Sequence, residues 1–327
     1  MPIDLRTKKL AKQTIKHSLN VKPKQKVVIS GKEEAIPFVK ELYKEVVLAE
    51  AYPIVKVSPS GISDFFFKYA KKHQLENFPQ HLMNLAKSAD KWIGIDTEFN
   101  TRELTNSDSK KISLRQKTSH PISDYICNTP DKINRCSIAY PCPALAQEAE
   151  MSFTDYEKFV YSACLQDWKK LKKQYEKINK KFRKNSKIHI LGKGVDLKFK
   201  VHGNLSVIDD GKENMPGGEV FMAPVKGTMN GHIKFEYPAI RNGKEVTDVY
   251  LNFKDGKIID YDASKNKDFL KSAIETDENS RYIGELGIGC NPKINRFTKN
   301  LLFDEKIGGT IHLAIGATYE DNTQGLS

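Results

Sequence analysis

Two glutamates and a histidine near the C-terminal end of the sequence sit where charged or basic side chains are costly. Glu219 follows Pro216-Gly217-Gly218 and heads an apolar run in NMPGGEVFM (214–222). Glu285 lies in RYIGELGIG (281–289), with glycines at 284, 287 and 289. His312 follows the pair Gly308-Gly309 inside the apolar run of GGTIHLAIGATY, and Tyr319 comes seven residues later, where that run ends. A carboxylate on an apolar strand is unfavourable unless something positive meets it. Two carboxylates and an imidazole, each embedded in apolar sequence, are what a divalent-metal site needs. Hard oxygen ligands with a neutral imidazole suit Zn²⁺, Co²⁺ or Mn²⁺. A bound cation would offset the desolvation of Glu219 and keep it ionised.

Each residue also has a plainer reading. Glu219 could guard a strand edge or pair with an arginine, and Glu285 could cap a turn. A lone histidine such as His312 is commonly a hydrogen-bonded core residue. Tyr319 could be a packed phenol with a wet tip. The sequence contains no compact H-E-x-x-H or C-x-x-C to decide the matter.

The elements that must position these groups fall into two halves. KVVIS (26–30), a helical pattern over 33–50 and YPIVKVS (52–58) form a βαβ unit, and KWIGID (91–96) extends the same parallel sheet. The segment 98–143, with prolines at 121, 130, 141 and 143, reads as a long irregular connection. Thr154 and Glu157 form a T-x-x-E capping box opening a long helix. Its apolar face runs through Cys164, Trp168, Leu171, Tyr175, Ile178 and Phe182, while ten Lys and Arg lie between 169 and 187. From 187 onward, short alternating runs are separated by Gly, Asn and Asp, with hairpin signals at Asn242-Gly243 and Asp255-Gly256 and one helix at 267–275. The expected fold is α/β: an N-terminal parallel-sheet domain over 1–185 that includes the basic connecting helix, then a β-rich α+β catalytic domain over 186–327.

Composition narrows the class. The 327 residues carry a net charge of +12, but residues 188–327 hold 18 Lys+Arg against 20 Asp+Glu. The positive excess therefore lies in the first 187 residues. A nucleic-acid binder would use that half, yet no base-reading or stacking motif accompanies its basic helix, so no nucleic-acid partner is expected. No run approaches the length of a membrane span and no secretory signal opens the chain, so no membrane partner is expected. Five scattered cysteines without a CxxC pair fit reduced thiols and a cytoplasmic location.

Longer blocks carry a resemblance. NMPGGEVFMAPVKGTMNG (214–231), RYIGELGIGCNPKI (281–294) and NLLFDEKIGGTIHLAIGATY (300–319) resemble, in order and spacing, the signature blocks of the thermophilic aminopeptidase family, the aminopeptidase T-like metallopeptidases. AYPCPALAQEAEMSFTDYEKFVYSAC (139–164) is similar to that family's segment joining its halves, and GKIIDYDA (256–263) also fits. The resemblance implies a cytosolic homodimer acting on small peptides with two divalent metals (Zn, Co or Mn, with Mg possible). It implies Glu219, Glu285 and His312 as metal ligands, Glu285 as the bridge, and Glu219 and Tyr319 in catalysis.

The resemblance further implies a His-x-Asp motif after Tyr319, which the sequence to Ser327 does not contain. The expectation is therefore a metal-dependent aminopeptidase using a metal-activated water. The alternatives are a catalytically impaired, peptide- or metal-binding dimeric relative and, behind it, a basic nucleic-acid binder.

Overall fold

The computed structural model describes residues 4–129, 131–182, 187–202, 205–241 and 244–316. The chain divides into two compact units, one formed by the residues up to Gln166 with Gly211–Gly217, the other by Asp167–Asp210 with Gly218 onward.

The first unit is a five-stranded sheet in the order β2-β1-β3-β4-β8, with every pairing parallel. Its strands are β1 (Lys26–Lys32), β2 (Tyr52–Ser58), β3 (Lys91–Asp96), β4 (Asn134–Ala139) and, arriving late in the chain, β8 (Asn214–Met215). Val27, Val28 and Ile29 are consecutive and all fully buried, as expected where helices cover both faces of a parallel sheet. Among the described residues this unit holds eight α-helices: α1 (Leu5–Gln13), α2 (Ile36–Leu48), α3 (Ile62–Tyr69), α4 (Lys72–Glu76), α5 (Gln80–Ser88), α6 (Ser109–Asn128), α7 (Pro143–Glu148) and α8 (Phe153–Cys164). In α2, Pro37 sits in the first turn and Phe38, Val39, Leu42 and Val46 make the buried face.

The second unit is β-rich. One antiparallel sheet has the order β14-β13-β10-β6-β5, built from β5 (Lys187–Gly192), β6 (Val195–Lys200), β10 (Asn230–Lys234), β13 (Tyr250–Lys254) and β14 (Lys257–Asp262). A second has the order β16-β15-β9-β7, built from β7 (Val207–Asp209), β9 (Glu219–Met222), β15 (Ile283–Gly289) and β16 (Ile311–Ile315). The short β11 (Ala239–Arg241) and β12 (Lys244–Val246) pair with each other. Among the described residues the α-helices of this unit are α9 (Trp168–Phe182), α10 (Lys267–Ile274) and α11 (Leu301–Asp304). The α/β fold with a parallel first sheet and a β-rich second half is thus as the sequence implied. Asn242-Gly243 lies outside the described residues.

Two sequence expectations differ from the structure. The stretch 98–143 is not irregular throughout, because it contains α6 and β4. Pro121 lies inside α6, where a proline normally breaks the backbone ladder. Ile122 is the buried residue of α6, so the helix shows little periodicity. Nor is 154–182 one helix. Ser152 caps α8, its Oγ accepting from Asp155 N at 3.2 Å. Asp167 caps a second helix, α9, accepting from Lys170 N at 3.0 Å. The apolar face bridges this break without a change of spacing, since Cys164 and Trp168 are both buried. No helix among the described residues is long and apolar enough to cross a membrane.

Candidate metal centre

The β16-β15-β9-β7 sheet gathers three of the predicted residues, Glu219, Glu285 and His312, on one face. Directly paired residues of an antiparallel sheet point the same way, as do residues two apart on one strand. Glu219 pairs with Gly289 on one side and with Asp209 on the other. Gly287 pairs with His312. Glu285, Gly287, Gly289, His312, Glu219 and Asp209 therefore share a face.

The glycines of E-L-G-I-G leave room on that face. A Cβ at Gly287 would lie 2.0 Å from His312 Cε1, so the imidazole ring rests directly on the backbone of β15. A Cβ at Gly289 would lie 2.1 Å from the carbonyl oxygen of Ile307, so the segment after α11 crosses the sheet there.

That crossing segment delivers two residues that the sequence reading did not name. Lys306 Nζ lies 3.1 Å from Glu219 Oε1 and 3.9 Å from Asp209 Oδ2. Glu305 Oε2 lies 3.7 Å from the same ammonium. The positive partner that Glu219 required is thus Lys306, and it was already present in the FDEK of the third sequence block. A lysine and a glutamate beside a glycine pair look like an ordinary surface turn in sequence. Their burial follows only from the path over Gly289.

His312 is the centre of the other side of the cluster. Its Nε2 is 3.3 Å from Glu285 Oε1 and 3.4 Å from Glu219 Oε2. Glu219, Glu305 and His312 each offer a ligand atom, and these atoms lie within 4.8 Å of one another. Among the described residues, Glu219 Oε2 and His312 Nδ1 are buried without a hydrogen-bond partner. Tyr319 lies outside the described residues. A separate cavity of about 460 Å³, lined in part by Tyr175 and Ile178 of α9, Ile288 of β15 and Cys290 just after it, holds none of these charged groups.

The electrostatics follow from crowding. Burial works against the charge of Lys306, but Glu219, Asp209 and Glu305 together outweigh it and raise its pKa. Burial raises the carboxyl of Glu305, with Lys306 opposing. Burial likewise disfavours the imidazolium of His312, yet the hydrogen bond with Glu285 and the nearby carboxylates raise its pKa overall. Burial also pushes the Cys290 thiol up to about 11, so by itself it is a protonated thiol at neutral pH.

The thermophilic metalloprotease family (M29) matches residues 3–327. The chain belongs to that family. Aminopeptidase AmpS of Bacillus subtilis (strain 168) is 26% identical over 354 residues, covering 96% of this chain and 85% of that protein. Aminopeptidase 2 of Geobacillus stearothermophilus is 24% identical over 351 residues, covering 97% and 84%. Among solved structures, wild-type AmpT from Thermus thermophilus superposes with a TM-score of 0.85 at 21% identity, over 98% of this chain and 87% of that one. At that identity the superposition establishes the shared fold. Membership in the M29 family makes the chain a metallopeptidase, so a divalent metal belongs to its chemistry.

The residues present fit such an ion. Asp209, Glu219, Glu285 and Glu305 face one ammonium and one imidazole, an excess of negative charge in a largely buried place. An uncompensated buried carboxylate costs several kcal/mol. Oxygen donors with one imidazole nitrogen are a hard, borderline set that a divalent ion satisfies.

Proposed function

We propose that this metallo-aminopeptidase releases N-terminal residues from small peptides, with Glu219, Glu285, Glu305 and His312 holding divalent metal on the face of the β16-β15-β9-β7 sheet. The observation that carries the reading is Glu219 Oε2, buried without a hydrogen bond 3.4 Å from His312 Nε2, at the centre of an excess of carboxylates. When bound, the metal supplies Lewis acidity and lowers the pKa of a nearby water.

The protein's own groups have distinct tasks. Lys306 engages Glu219 Oε1 and so fixes the direction of Oε2. Glu285 Oε1, hydrogen-bonded to His312 Nε2, orients the ring and keeps a proton-accepting oxygen at the site. Glu219 is a ligand in this reading. Tyr319 is proposed as the donor to the oxygen that gains charge during hydrolysis, a role supported by the family resemblance. The same resemblance supports a homodimer, and the free cysteines support a cytoplasmic location.

The test is release of amino acid from leucyl, methionyl and phenylalanyl amides by the purified chain. Co²⁺, Zn²⁺ and Mn²⁺ are each supplied, with a chelator control. Chelator-sensitive release that is abolished by Glu219→Gln and by Glu285→Gln is expected. Full activity in either variant would overturn the assignment.

A further inference from the structure

The cavity beside α9 is lined very differently from the metal centre. Its volume of about 460 Å³ falls in the range of about 300–1,000 Å³ that small-molecule sites occupy, and far exceeds the room one water needs. Among the described residues, no Lys, Arg, His, Asp or Glu lines it. Ile178, Ile288 and Ile294 supply apolar wall, and the exposed Gln174 and Asn295 stand at its rim. Ile288 alternates with Gly287 and Gly289 along β15, so its side chain faces away from Glu285 and His312.

Tyr175 is the odd group in this lining. It is 2% exposed, and its hydroxyl is buried with no hydrogen-bond partner among the described residues. Buried polar groups in folded proteins nearly always have a partner, because they have given up water. Burial raises the pKa of this phenol, and the nearby Cys290 and Asp209 add to the effect. The hydroxyl is therefore a neutral donor, and it stands near Cys290, which also lines the cavity. The Cys290 thiol is itself engaged, Sγ donating to Ile288 O at 3.2 Å.

We propose that this cavity is a second ligand site, separate from the metal centre, for a small uncharged carbonyl compound with an apolar body, whose carbonyl oxygen accepts from the Tyr175 hydroxyl. The assignment stands independently of the metal reading. The lining decides the class. An ion brought against a wall with no opposite charge loses hydration that nothing there restores. An anion would also meet the field of Asp209 and Glu219, which already bears on Tyr175 and Cys290 respectively. The substrates and products of an aminopeptidase carry an α-amino group that is largely protonated at neutral pH, so they suit this cavity poorly. A neutral carbonyl compound satisfies the buried hydroxyl and covers the isoleucines with its body.

The experiment is a calorimetric titration of the full chain with three probes of similar shape: benzamide, benzoate and benzylammonium. Benzamide is expected to saturate one site per chain with a dissociation constant of about 1–10 mM, as suits a ligand this small. The two ions should bind at least about tenfold more weakly. Tyr175→Phe, which removes only the hydroxyl, should weaken benzamide by about 3–10-fold. Ile178→Trp, which fills the cavity from α9, should abolish its binding. A chelator should leave benzamide binding unchanged. Benzamide that fails to saturate, that binds either variant as tightly as the parent, or that is matched by either ion would overturn the proposal. Loss of benzamide binding with chelator would do the same, because it would place the probe at the metal centre. If circular dichroism shows Ile178→Trp unfolded, Tyr175→Phe decides.

Discussion

Gly287→Ala is a small substitution with a large expected effect. The added Cβ would lie 2.0 Å from His312 Cε1 and 2.1 Å from its Nε2. Ordinary contact begins at 3.4 Å, so the ring must retreat by about 1.4 Å or the β15–β16 pairing must open. Metal–ligand distances tolerate about 0.2 Å, so either response removes the imidazole from the site. Loss of orientation at a metal ligand costs about 10–100-fold in affinity, and overpacking costs about 1–3 kcal/mol of stability. At about 2–4 °C per kcal/mol for a unit of this size, the chelated protein should melt about 2–12 °C lower. Gly94→Ala is the matched control, because nothing lies within 4 Å of its added Cβ. Mn²⁺ titration and thermal melts of the three proteins make the test. A Gly287→Ala protein that binds Mn²⁺ as tightly as the parent would refute the placement of His312 over Gly287 and, with it, the site.

Lys306→Met leaves Glu219 and Asp209 without their fixed cation, and should destabilise the chelated protein by about 3–5 kcal/mol, recovered in part when Mn²⁺ is added during the melt. Saturating metal should stabilise the parent by about 2.7 kcal/mol at a concentration 100 times the dissociation constant, seen as a chelator-reversible rise in melting temperature. Trp168→Ala removes a side chain that is 2% exposed at the start of α9, and should cost about 3–5 kcal/mol in urea unfolding. Asp4 caps α1, accepting from Arg6 N at 2.7 Å, so Asp4→Ala should cost about 1 kcal/mol. The side-chain hydrogen bond from Arg6 lowers the Asp4 pKa, so this contribution is present above the unfolded carboxylate range near about pH 3.9 and is lost as pH falls through the lower folded value. An unchanged difference between parent and Asp4→Ala at pH 7 and at pH 2 would show that the cap does not act through its charge.

The parallel sheet was legible because its strands are long apolar runs at βαβ spacing, and β1, β2 and β3 lie where KVVIS, YPIVKVS and KWIGID put them. What escaped had weak local signals. β4 mixes Asn134, Arg135 and Ser137 with its buried residues, and α6 carries a proline. At the candidate site, Glu219, Glu285 and His312 could be picked out because each interrupts apolar sequence. Asp209, Glu305 and Lys306 could not, since Asp209 ends a three-residue strand and the other two sit in a polar turn. Their role comes from register and close approach, which no local pattern encodes.

The way the site is built explains why Glu285 is followed by glycine at the next two positions on the same face of β15. A sheet face normally presents a side chain at every second residue, about 7 Å apart along the strand, which would fill the space above it. Replacing two successive positions by glycine after Glu285 opens a trough, into which His312 folds from one neighbouring strand and the Ile307 backbone from outside the sheet. Both intruders then lie at backbone-contact distance, so their positions are set by hard contact rather than by flexible side chains. The backbone extends that constraint through Gly289 N donating to Thr310 O at 3.0 Å and Gly309 N donating to Gly289 O at 2.9 Å. Lys306, one residue before Ile307, inherits this rigidity. An ammonium on such a tether cannot drift out to water, which is the condition for a lysine to serve as a permanent cation in a carboxylate cluster rather than as an occasional salt-bridge partner.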